Sequence, residues 1–189
     1  MTAGAQRGTI LQRTLHWVMA VCILAMLFIG VGMVSTIEPK YLTLVSIHKP
    51  LGIAILVLAI VRLAARLRFG APALPASMPE PMKLAAHLSH YAFYALMLGM
   101  PLIGWAMLSA AAYPVVLFPG VHLPPIAPQS DRLHALLWDA HFTLAFAFFA
   151  LILVHVAAAL LHALVRRDGV FETMLPAAIP DRDNVVPAE

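Results

Sequence analysis

Long stretches without a charged residue constrain this chain more than any other feature. Between Arg13 and Glu38 there are 24 consecutive uncharged residues, most of them apolar. A helix of about 20 apolar residues crosses the hydrocarbon core of a bilayer, which is roughly 30 Å thick. With 62% hydrophobic and 11% charged residues, the chain is too apolar for an ordinary soluble domain, in which about a quarter of the residues are charged. We therefore expect an integral membrane protein whose partners include lipid and exclude nucleic acid.

Four apolar segments are long enough to span a membrane. The predicted helices cover residues 15–34, 41–65, 84–109 and 132–165. They give an all-α integral membrane fold, a four-helix transmembrane bundle formed by residues 1–170. Prolines in the segment 110–130 argue against a fifth span, so this segment is expected to lie in the interface and partly roof the bundle. Residues 171–189 carry prolines and mixed charges and are predicted to be a solvated tail.

Lysines and arginines are distributed unequally between the two sides of the predicted bundle. Nine fall on the side of the termini: Arg7, Arg13, Arg62, Arg66, Arg68, Lys83, Arg166, Arg167 and Arg182. Three fall on the opposite side: Lys40, Lys49 and Arg132. Because cytoplasmic loops of membrane proteins carry the excess of positive residues, both termini are predicted to be cytoplasmic.

Histidine is the residue type that can hold a metal in this chain. The one cysteine, Cys22, lies within an apolar run, so neither a disulfide framework nor a thiolate metal site is available. There are nine histidines, and an imidazole inside a membrane needs a partner or a function. His141 and His155 lie 14 residues apart on the last predicted helix, which places them on one face at two depths about 21 Å apart.

Two further histidines match those depths. His16 opens the first predicted helix on the side of the termini, and His48 lies in the first third of the second, near the opposite side. Antiparallel packing therefore pairs His48 with His141 and His16 with His155. Each pair can bind one iron from opposite faces, with a haem between the helices. The alternative for a single histidine is a hydrogen-bonded interior residue, but four at two matching depths favour ligation.

Two other residues suit a haem cavity. Gly52 follows His48 by four residues, so it lies one turn along the same face, where a glycine lets a flat macrocycle approach the backbone. The alternative is a glycine that packs two helices together. Arg62 follows His48 by 14 residues and can pair with haem propionates at the depth of the inner haem. Snorkelling of Arg62 to the membrane surface is the alternative.

The order and spacing of several motifs resemble the bacterial cytochrome b561 family. They are Arg13-Thr14-Leu15-His16-Trp17, His48-x-x-x-Gly52, the cluster from Arg62 to Arg68, Ala86-His87-Leu88-Ser89-His90 and His155-x6-His162. The likeness covers about residues 8–170. It implies a dihaem b-type cytochrome of the bacterial inner membrane, in which His16, His48, His141 and His155 match the haem ligands. It also implies electron exchange with the quinone pool and, in one branch of the family, superoxide oxidation at the periplasmic face.

These implications give a specific functional hypothesis. Iron bound by two histidines has no open position, so both haems are expected to carry electrons rather than bind oxygen. The donor is expected to be superoxide, or another periplasmic donor, and the acceptor ubiquinone. Lys49 and Arg132, together with Lys40, could attract a small anion, although ordinary solvated charges are the alternative. His162, His87 and His90 are candidates for quinone binding, or for haem propionates or the headgroup layer. His122 and His134 have no assigned role.

Two other functions remain open from the sequence. The chain could be the cytochrome b subunit of a larger complex and pass electrons between quinone and a partner redox protein, such as a dehydrogenase or hydrogenase. It could also be a haem-free metal transporter lined by histidines. A visible spectrum would separate the transporter from the cytochromes, because only a cytochrome shows the absorbance of haem.

Overall fold

Four long helices make up most of the molecule. The computed structural model describes residues 8–37 and 39–176. The helices are α1 (Ile10–Ser35), α2 (Lys40–Phe69), α3 (Glu80–Ala110) and α4 (Asp131–Leu160). All four are long and apolar enough to cross a membrane, which confirms the predicted four-helix transmembrane fold. Arg7, Arg182 and the tail residues 177–189 lie outside the described residues.

Local sequence signals explain where the helices begin. Thr9 caps α1: its side chain accepts a hydrogen bond from the backbone of Gln12, and the Gln12 side chain bonds back to the backbone of Thr9. This reciprocal arrangement satisfies two donors that the first turn leaves unpaired. Ser130 caps α4 in a similar way, by accepting from the backbone of Leu133. α1 and α3 begin five and four residues before their predicted spans, because their first turns carry polar and charged residues, whereas α2 and α4 begin within one residue of the prediction.

The helices form an antiparallel bundle in chain order. The closest backbone approaches join α1 to α2 and α3 to α4, and α2 also packs against α3. Among the described residues, the backbone of α4 does not run close to the backbone of α1 or α2. Side chains therefore fill the space between α4 and these two helices. We call the end at which α1 begins and α4 finishes the terminal end, and the opposite end, which carries the α3–α4 connection, the hairpin end.

A short antiparallel hairpin covers part of the hairpin end. Its strands are β1 (Val115–Phe118) and β2 (Val121–Leu123), joined through Gly120, which has a positive φ of 84°. β1 packs against α2 and α3. Trp105 donates from its indole nitrogen to the carbonyl oxygen of Pro124 at 2.9 Å, which ties the connection to α3. The segment 110–130 thus covers the bundle without adding a span, and its strands were not foreseen from the sequence.

The end of the chain departs from the sequence expectation. The predicted fourth helix 132–165 is one α-helix only as far as Leu160, and a π-helical turn follows over Leu161–Arg166. The predicted solvated tail begins with a 3₁₀ helix, Phe171–Met174, in which Thr173 is buried. Backbone carbonyls of this segment accept hydrogen bonds from the first turns of α1. The prediction of a solvated tail is therefore wrong for residues 171–175, because polar groups at the start of α1 provide partners there.

The buried core lies halfway along the bundle. Met19, Ala59, Met97 and Phe148 form a cluster with one member from each helix, and Ala59 is 0% exposed. Most other large apolar side chains face outward, as Phe28 does at 78% exposure. A surface of this kind is stable in lipid rather than in water.

Ala59→Leu is expected to destabilise the bundle, since there is no space at this position for a larger side chain. Overpacking of a closed core costs about 1–3 kcal/mol. Thermal unfolding in detergent, followed by circular dichroism, should show a lower midpoint for Ala59→Leu than for the natural protein. Ala54→Leu is the matched control, because Ala54 lies on the exposed face of the same helix. Equal midpoints for the two variants would contradict this description of the core.

Candidate functional site

The first candidate site lies at the hairpin end, between α2 and α4. The imidazole rings of His48 and His141 have their centroids 6.2 Å apart and are inclined at 67°. A metal bound between two imidazoles, with bonds of about 2 Å to nitrogens about 1 Å from each ring centre, needs ring centres about 6 Å apart. The helices therefore hold these two side chains at the spacing that a shared metal ion requires.

The two imidazoles of this pair are half-buried, and their Nδ1 atoms are enclosed. The Nδ1 atoms of His48 and His141 are both buried and have no hydrogen-bond partner among the described residues. Buried polar atoms are rarely left unpaired in folded proteins. A Cβ atom placed on Gly104 of α3 would come within 3.3 Å of Cε1 of His141. Gly104 thus allows the His141 ring to lie directly against the backbone of α3.

A second pair lies at the terminal end, between α1 and α4. The ring centroids of His16 and His155 are 6.3 Å apart and the rings are inclined at 62°. His90 of α3 is also close, with its ring centroid 6.4 Å from that of His155. Phe93 packs edge-on against His155 at 5.0 Å. Geometry alone therefore offers His155 two partners at nearly equal distance, whereas sequence reasoning had considered His16 alone.

Arg62 lies beside the terminal-end pair. Its Nη2 atom is 3.1 Å from Nδ1 of His16. A guanidinium has no acceptor, so in this contact Nδ1 accepts and the imidazole proton resides on Nε2. Ligation of a metal through Nε2 requires the proton on Nδ1 instead. Arg62 must therefore turn away from Nδ1 whenever His16 ligates through Nε2, and its charge then needs another acceptor.

Arginine side chains continue toward the membrane surface at this end. Arg66 lies over the ring of Tyr94 at 5.7 Å, a cation–π contact. Arg62, Arg66 and Tyr94 line a small cavity of about 20 Å³, which has room for about one water molecule. Gln12 also lines this cavity, and its side chain donates to the carbonyl of Gly70 at 2.7 Å.

The buried core separates the two sites. Phe148 lies seven residues from both His141 and His155 on α4, which is about two turns in each direction. It is in edge contact with Phe93 at 6.0 Å, and Phe93 in turn contacts His155. An apolar layer therefore lies between the two histidine pairs, and its member Phe148 is about two helical turns from each of them.

Other residues singled out from the sequence take different positions. Gly52 faces α1, since a Cβ there would lie 3.7 Å from the Met26 side chain, an ordinary packing distance. Lys49 donates to the carbonyl of Pro114 at 3.3 Å, so this cation is tied to the start of the hairpin. Arg132 and His87 are exposed.

The two histidines without an assigned role also lie near the hairpin end. His122 is exposed on β2. His134 has Nδ1 3.0 Å from the carbonyl oxygen of Met107. This contact joins α3 to the first turn of α4 and indicates a structural role.

His162 is the most enclosed histidine among the described residues. It is 8% exposed, and its Nδ1 lies 2.7 Å from a carboxylate oxygen of Asp168. Sequence reasoning had not included Asp168, because residues six apart are not neighbours on an α-helix. It had also missed Gly104, which no motif distinguishes from the other glycines.

Comparison with known proteins identifies the family. The model of prokaryotic cytochrome b561 matches residues 7–177, which is nearly the whole chain. The chain belongs to the prokaryotic cytochrome b561 family. This confirms the resemblance drawn from the sequence motifs, and membership implies that the protein binds haem b and transfers electrons.

Individual relatives agree with this assignment. The chain is 34% identical to the probable superoxide oxidase CybB of Yersinia pestis over 131 residues, 69% of this chain and 73% of the relative. It is 25% identical over 183 residues to cytochrome b561 homolog 2 of Escherichia coli K12, covering 95% and 97% of the two chains. It is 27% identical over 173 residues to cytochrome b561 homolog 1 of the same organism, covering 87% and 94%.

The residues present fit a haem group. Imidazole is an ordinary axial ligand of haem iron, and this bundle has two imidazole pairs at the spacing that such ligation needs. The buried, unpartnered nitrogens of His48 and His141 lie on side chains that have no other evident function. Gly104 leaves the His141 ring free of a neighbouring side chain.

Gly104→Val is expected to lower haem binding at the hairpin end, because the larger side chain must displace the His141 ring. The measurement is the haem-to-protein ratio of purified protein, together with the reduced visible spectrum. Gly99→Val is the matched control on the same helix, since a Cβ at Gly99 meets nothing within 4 Å. Full haem content in Gly104→Val, or an equal loss in both variants, would contradict the role given to Gly104.

Proposed function

We propose that the protein binds two haem b groups and passes single electrons from superoxide in the periplasm to ubiquinone in the membrane. His48 and His141 would hold one haem, and His16 and His155 would hold the other. The observation that carries this proposal is the nearly equal spacing of the two imidazole pairs, 6.2 and 6.3 Å. Two separate pairs at two depths would be an unexpected result of helix packing alone.

Haem held by two imidazoles would supply one-electron transfer. The work of the protein is therefore to hold the rings, exclude water and guide each substrate to its own end. The apolar layer of Met19, Ala59, Met97 and Phe148 keeps water out of the space between the two sites. Family membership, which implies haem b, favours this function over a haem-free metal transporter.

The proposed orientation has both termini in the cytoplasm. Seven described lysines and arginines lie toward the terminal end: Arg13, Arg62, Arg66, Arg68, Lys83, Arg166 and Arg167. Only Lys40, Lys49 and Arg132 lie toward the hairpin end. Cytoplasmic segments carry the positive excess, so the hairpin end is assigned to the periplasm of a bacterial inner membrane.

At the hairpin end, Lys49 and Arg132 are proposed to attract superoxide. Cationic groups beside a site raise the encounter rate of an anion by long-range attraction. Lys49 adjoins the proposed ligand His48 and is tied to Pro114, so its charge is held near this pair. The name of the Yersinia relative, a probable superoxide oxidase, supports superoxide as the donor.

At the terminal end, Arg62 is proposed to neutralise haem propionates. Its contact with Nδ1 of His16 cannot persist when His16 ligates through Nε2, and a carboxylate is the acceptor that best matches a guanidinium. Gly52 packs against α1 and is proposed to let the macrocycle lie close to α2.

Ubiquinone is proposed to bind at the terminal end. His162 is the favoured partner of a quinone carbonyl, because it is an enclosed imidazole on the last helix below His155. His90, half-buried beside His155, and the exposed His87 are further candidates for the quinone or for a propionate.

Single alanine substitutions are expected to remove the haems one site at a time. His48→Ala and His141→Ala should each reduce the haem content from two to one per chain with the same spectral loss. His16→Ala and His155→Ala should each remove the other haem and its part of the visible spectrum. His90→Ala is the discriminating variant, because it keeps both haems if His16 is the partner of His155. Retention of both haems in His16→Ala and loss of one in His90→Ala would assign that ligand to His90 instead.

Anaerobic mixing of oxidised protein with a superoxide source and a soluble ubiquinone analogue tests the overall function. Stopped-flow spectra should show reduction of the haems, followed by their reoxidation as quinol forms. In the double variant Lys49→Gln/Arg132→Gln, haem reduction should be several-fold slower and less dependent on ionic strength. Haem that is reduced only by quinol would contradict the proposed direction. A requirement for a copurifying dehydrogenase would favour the role of a cytochrome subunit.

A further inference from the structure

A buried acid–base pair closes the terminal end of α4. Nδ1 of His162 and a carboxylate oxygen of Asp168 are 2.7 Å apart, and their side chains are only 10% and 16% exposed. We propose that Asp168 is a positioning residue that orients His162 and balances the charge of its ring while Nε2 delivers protons during quinone reduction. This inference rests on the proposed function and adds a residue that the sequence motifs did not reveal.

The local backbone is built to bring these two side chains together. Residues six apart do not meet on an α-helix, whose side-chain neighbours are three or four apart. Here α4 ends in the π turn Leu161–Arg166, and the backbone nitrogen of Arg167 donates to the carbonyl of His162 at 2.8 Å. Arg167 is left-handed, with φ 48°, and reverses the chain so that Asp168 folds back. A π turn replaces good α-helical hydrogen bonds, and such turns are frequent at functional sites.

Hydrogen bonds to both carboxylate oxygens hold Asp168 in place. The second carboxylate oxygen of Asp168 accepts from the backbone nitrogen of Val170 at 3.3 Å, so both oxygens are engaged. In the part of the chain that the structure describes, the His162 ring makes its only hydrogen bond to Asp168. Nδ1 is therefore fixed as the donor to the carboxylate, and Nε2 is available to a second partner.

His162 faces inward, whereas its neighbours on the same turn face outward. Leu161, Leu164 and Val165 on the same turn are exposed and face lipid, whereas His162 is buried. The charged neighbours on its own segment, Arg166 and Arg167, are exposed.

The packed elements bring further charged groups to this end. The 3₁₀ helix contributes Glu172, which has one buried, unpartnered carboxylate oxygen. α1, which packs on that helix, contributes the buried Arg13, which donates to the carbonyl of Leu175 at 3.2 Å. None of these charged groups is within salt-bridge distance of Asp168 among the described residues.

Quinone reduction consumes protons, and His162, held by Asp168, is proposed to deliver them. A quinone that takes up two electrons must also take up two protons to become quinol, and two superoxide ions supply the electrons as they become dioxygen. His162 can donate the proton on Nε2 to a quinone oxygen, while Nδ1 keeps its proton and its hydrogen bond to the Asp168 carboxylate. Water at the terminal end then returns a proton to Nε2, and the same nitrogen delivers the second proton. Electron transfer to an acceptor that takes up no proton would not need the pair.

This difference between acceptors provides the test. Asp168→Asn keeps one oxygen, which can accept from Nδ1 of His162, but it replaces the oxygen that accepts from Val170 by an amide nitrogen and removes the negative charge. With purified haem-loaded protein, we expect kcat for reduction of a soluble ubiquinone analogue to fall about tenfold or more, with KM unchanged. The rate with ferricyanide, which accepts an electron without a proton, and the haem content should stay unchanged. Glu80→Gln is the matched control, because Glu80 is an exposed carboxylate at the same end, paired with Lys83.

The comparison of the quinone and ferricyanide rates either supports or overturns the proposed role of Asp168. Equal loss of the quinone and ferricyanide rates, or no loss of either, would overturn the role of Asp168. If Asp168→Asn loses haem, the same comparison is made with His162→Gln, which can donate to Asp168 but cannot pass a proton through its side chain, and the same selective loss is expected. Natural protein that reduces ferricyanide but never quinone would overturn the proposed function, and this inference with it.

Discussion

The structure depends on how polar imidazoles are accommodated inside an apolar bundle. A histidine among helices that face lipid has no water to bind, so leaving it unpaired is unfavourable. Here four such side chains come from three helices and meet as two pairs, His48 with His141 and His16 with His155. The wide separation of α4 from α1 and α2 follows from this arrangement, since the rings must occupy the space between the helices. Packing of apolar residues is concentrated in the layer between the pairs.

The two ends of the bundle differ in character. At the hairpin end the histidine pair is enclosed, its Nδ1 atoms have no partners, and the β hairpin covers part of the surface. The terminal end is polar and interconnected. There the segment after α4 accepts hydrogen bonds from Gly8, Arg13 and Trp17 of the α1 region, with distances of 3.1, 3.2 and 2.7 Å.

This difference suits two substrates of unlike chemistry. The tie between α1 and the end of the chain fixes the first turns of α1 beside His16 and holds His162 and Asp168 close to the bundle. A small anion needs a cationic approach but no proton. A quinone needs an apolar environment together with a proton donor, and the buried His162 beside the outward-facing Leu161 and Leu164 is proposed to meet both needs.

Much of the fold could be predicted because the membrane imposes simple rules. Charge-free runs indicated four helices, and the 14-residue interval between His141 and His155 predicted two sites on one face of α4. Because an α-helix repeats regularly, the sequence spacing of two residues gives their relative depth and face along the whole helix. The paired approach of His48 to His141, and of His16 to His155, followed from antiparallel connection of the helices.

The other features of the fold and the site depend on contacts between residues that no local sequence pattern encodes. The approach of Gly104 to His141 arises from the crossing of α3 and α4. The meeting of Asp168 with His162 needs a π turn and a left-handed Arg167, which sequence periodicity does not indicate. The proximity of His90 to His155 depends on how α3 packs against α4, which the sequence-based candidate roles of His90 in binding quinone or propionates do not specify. The docked 3₁₀ helix was missed because the composition of the tail resembles that of a solvated segment.

The central claim, that two haems are each held by two histidines, is tested most directly by electron paramagnetic resonance of the fully oxidised protein with haem quantified per chain. Two axial imidazoles saturate ferric iron and make it low-spin. The account predicts two haem b per chain and low-spin ferric signals only. A single haem per chain, or a high-spin ferric signal from iron with an open position, would contradict it.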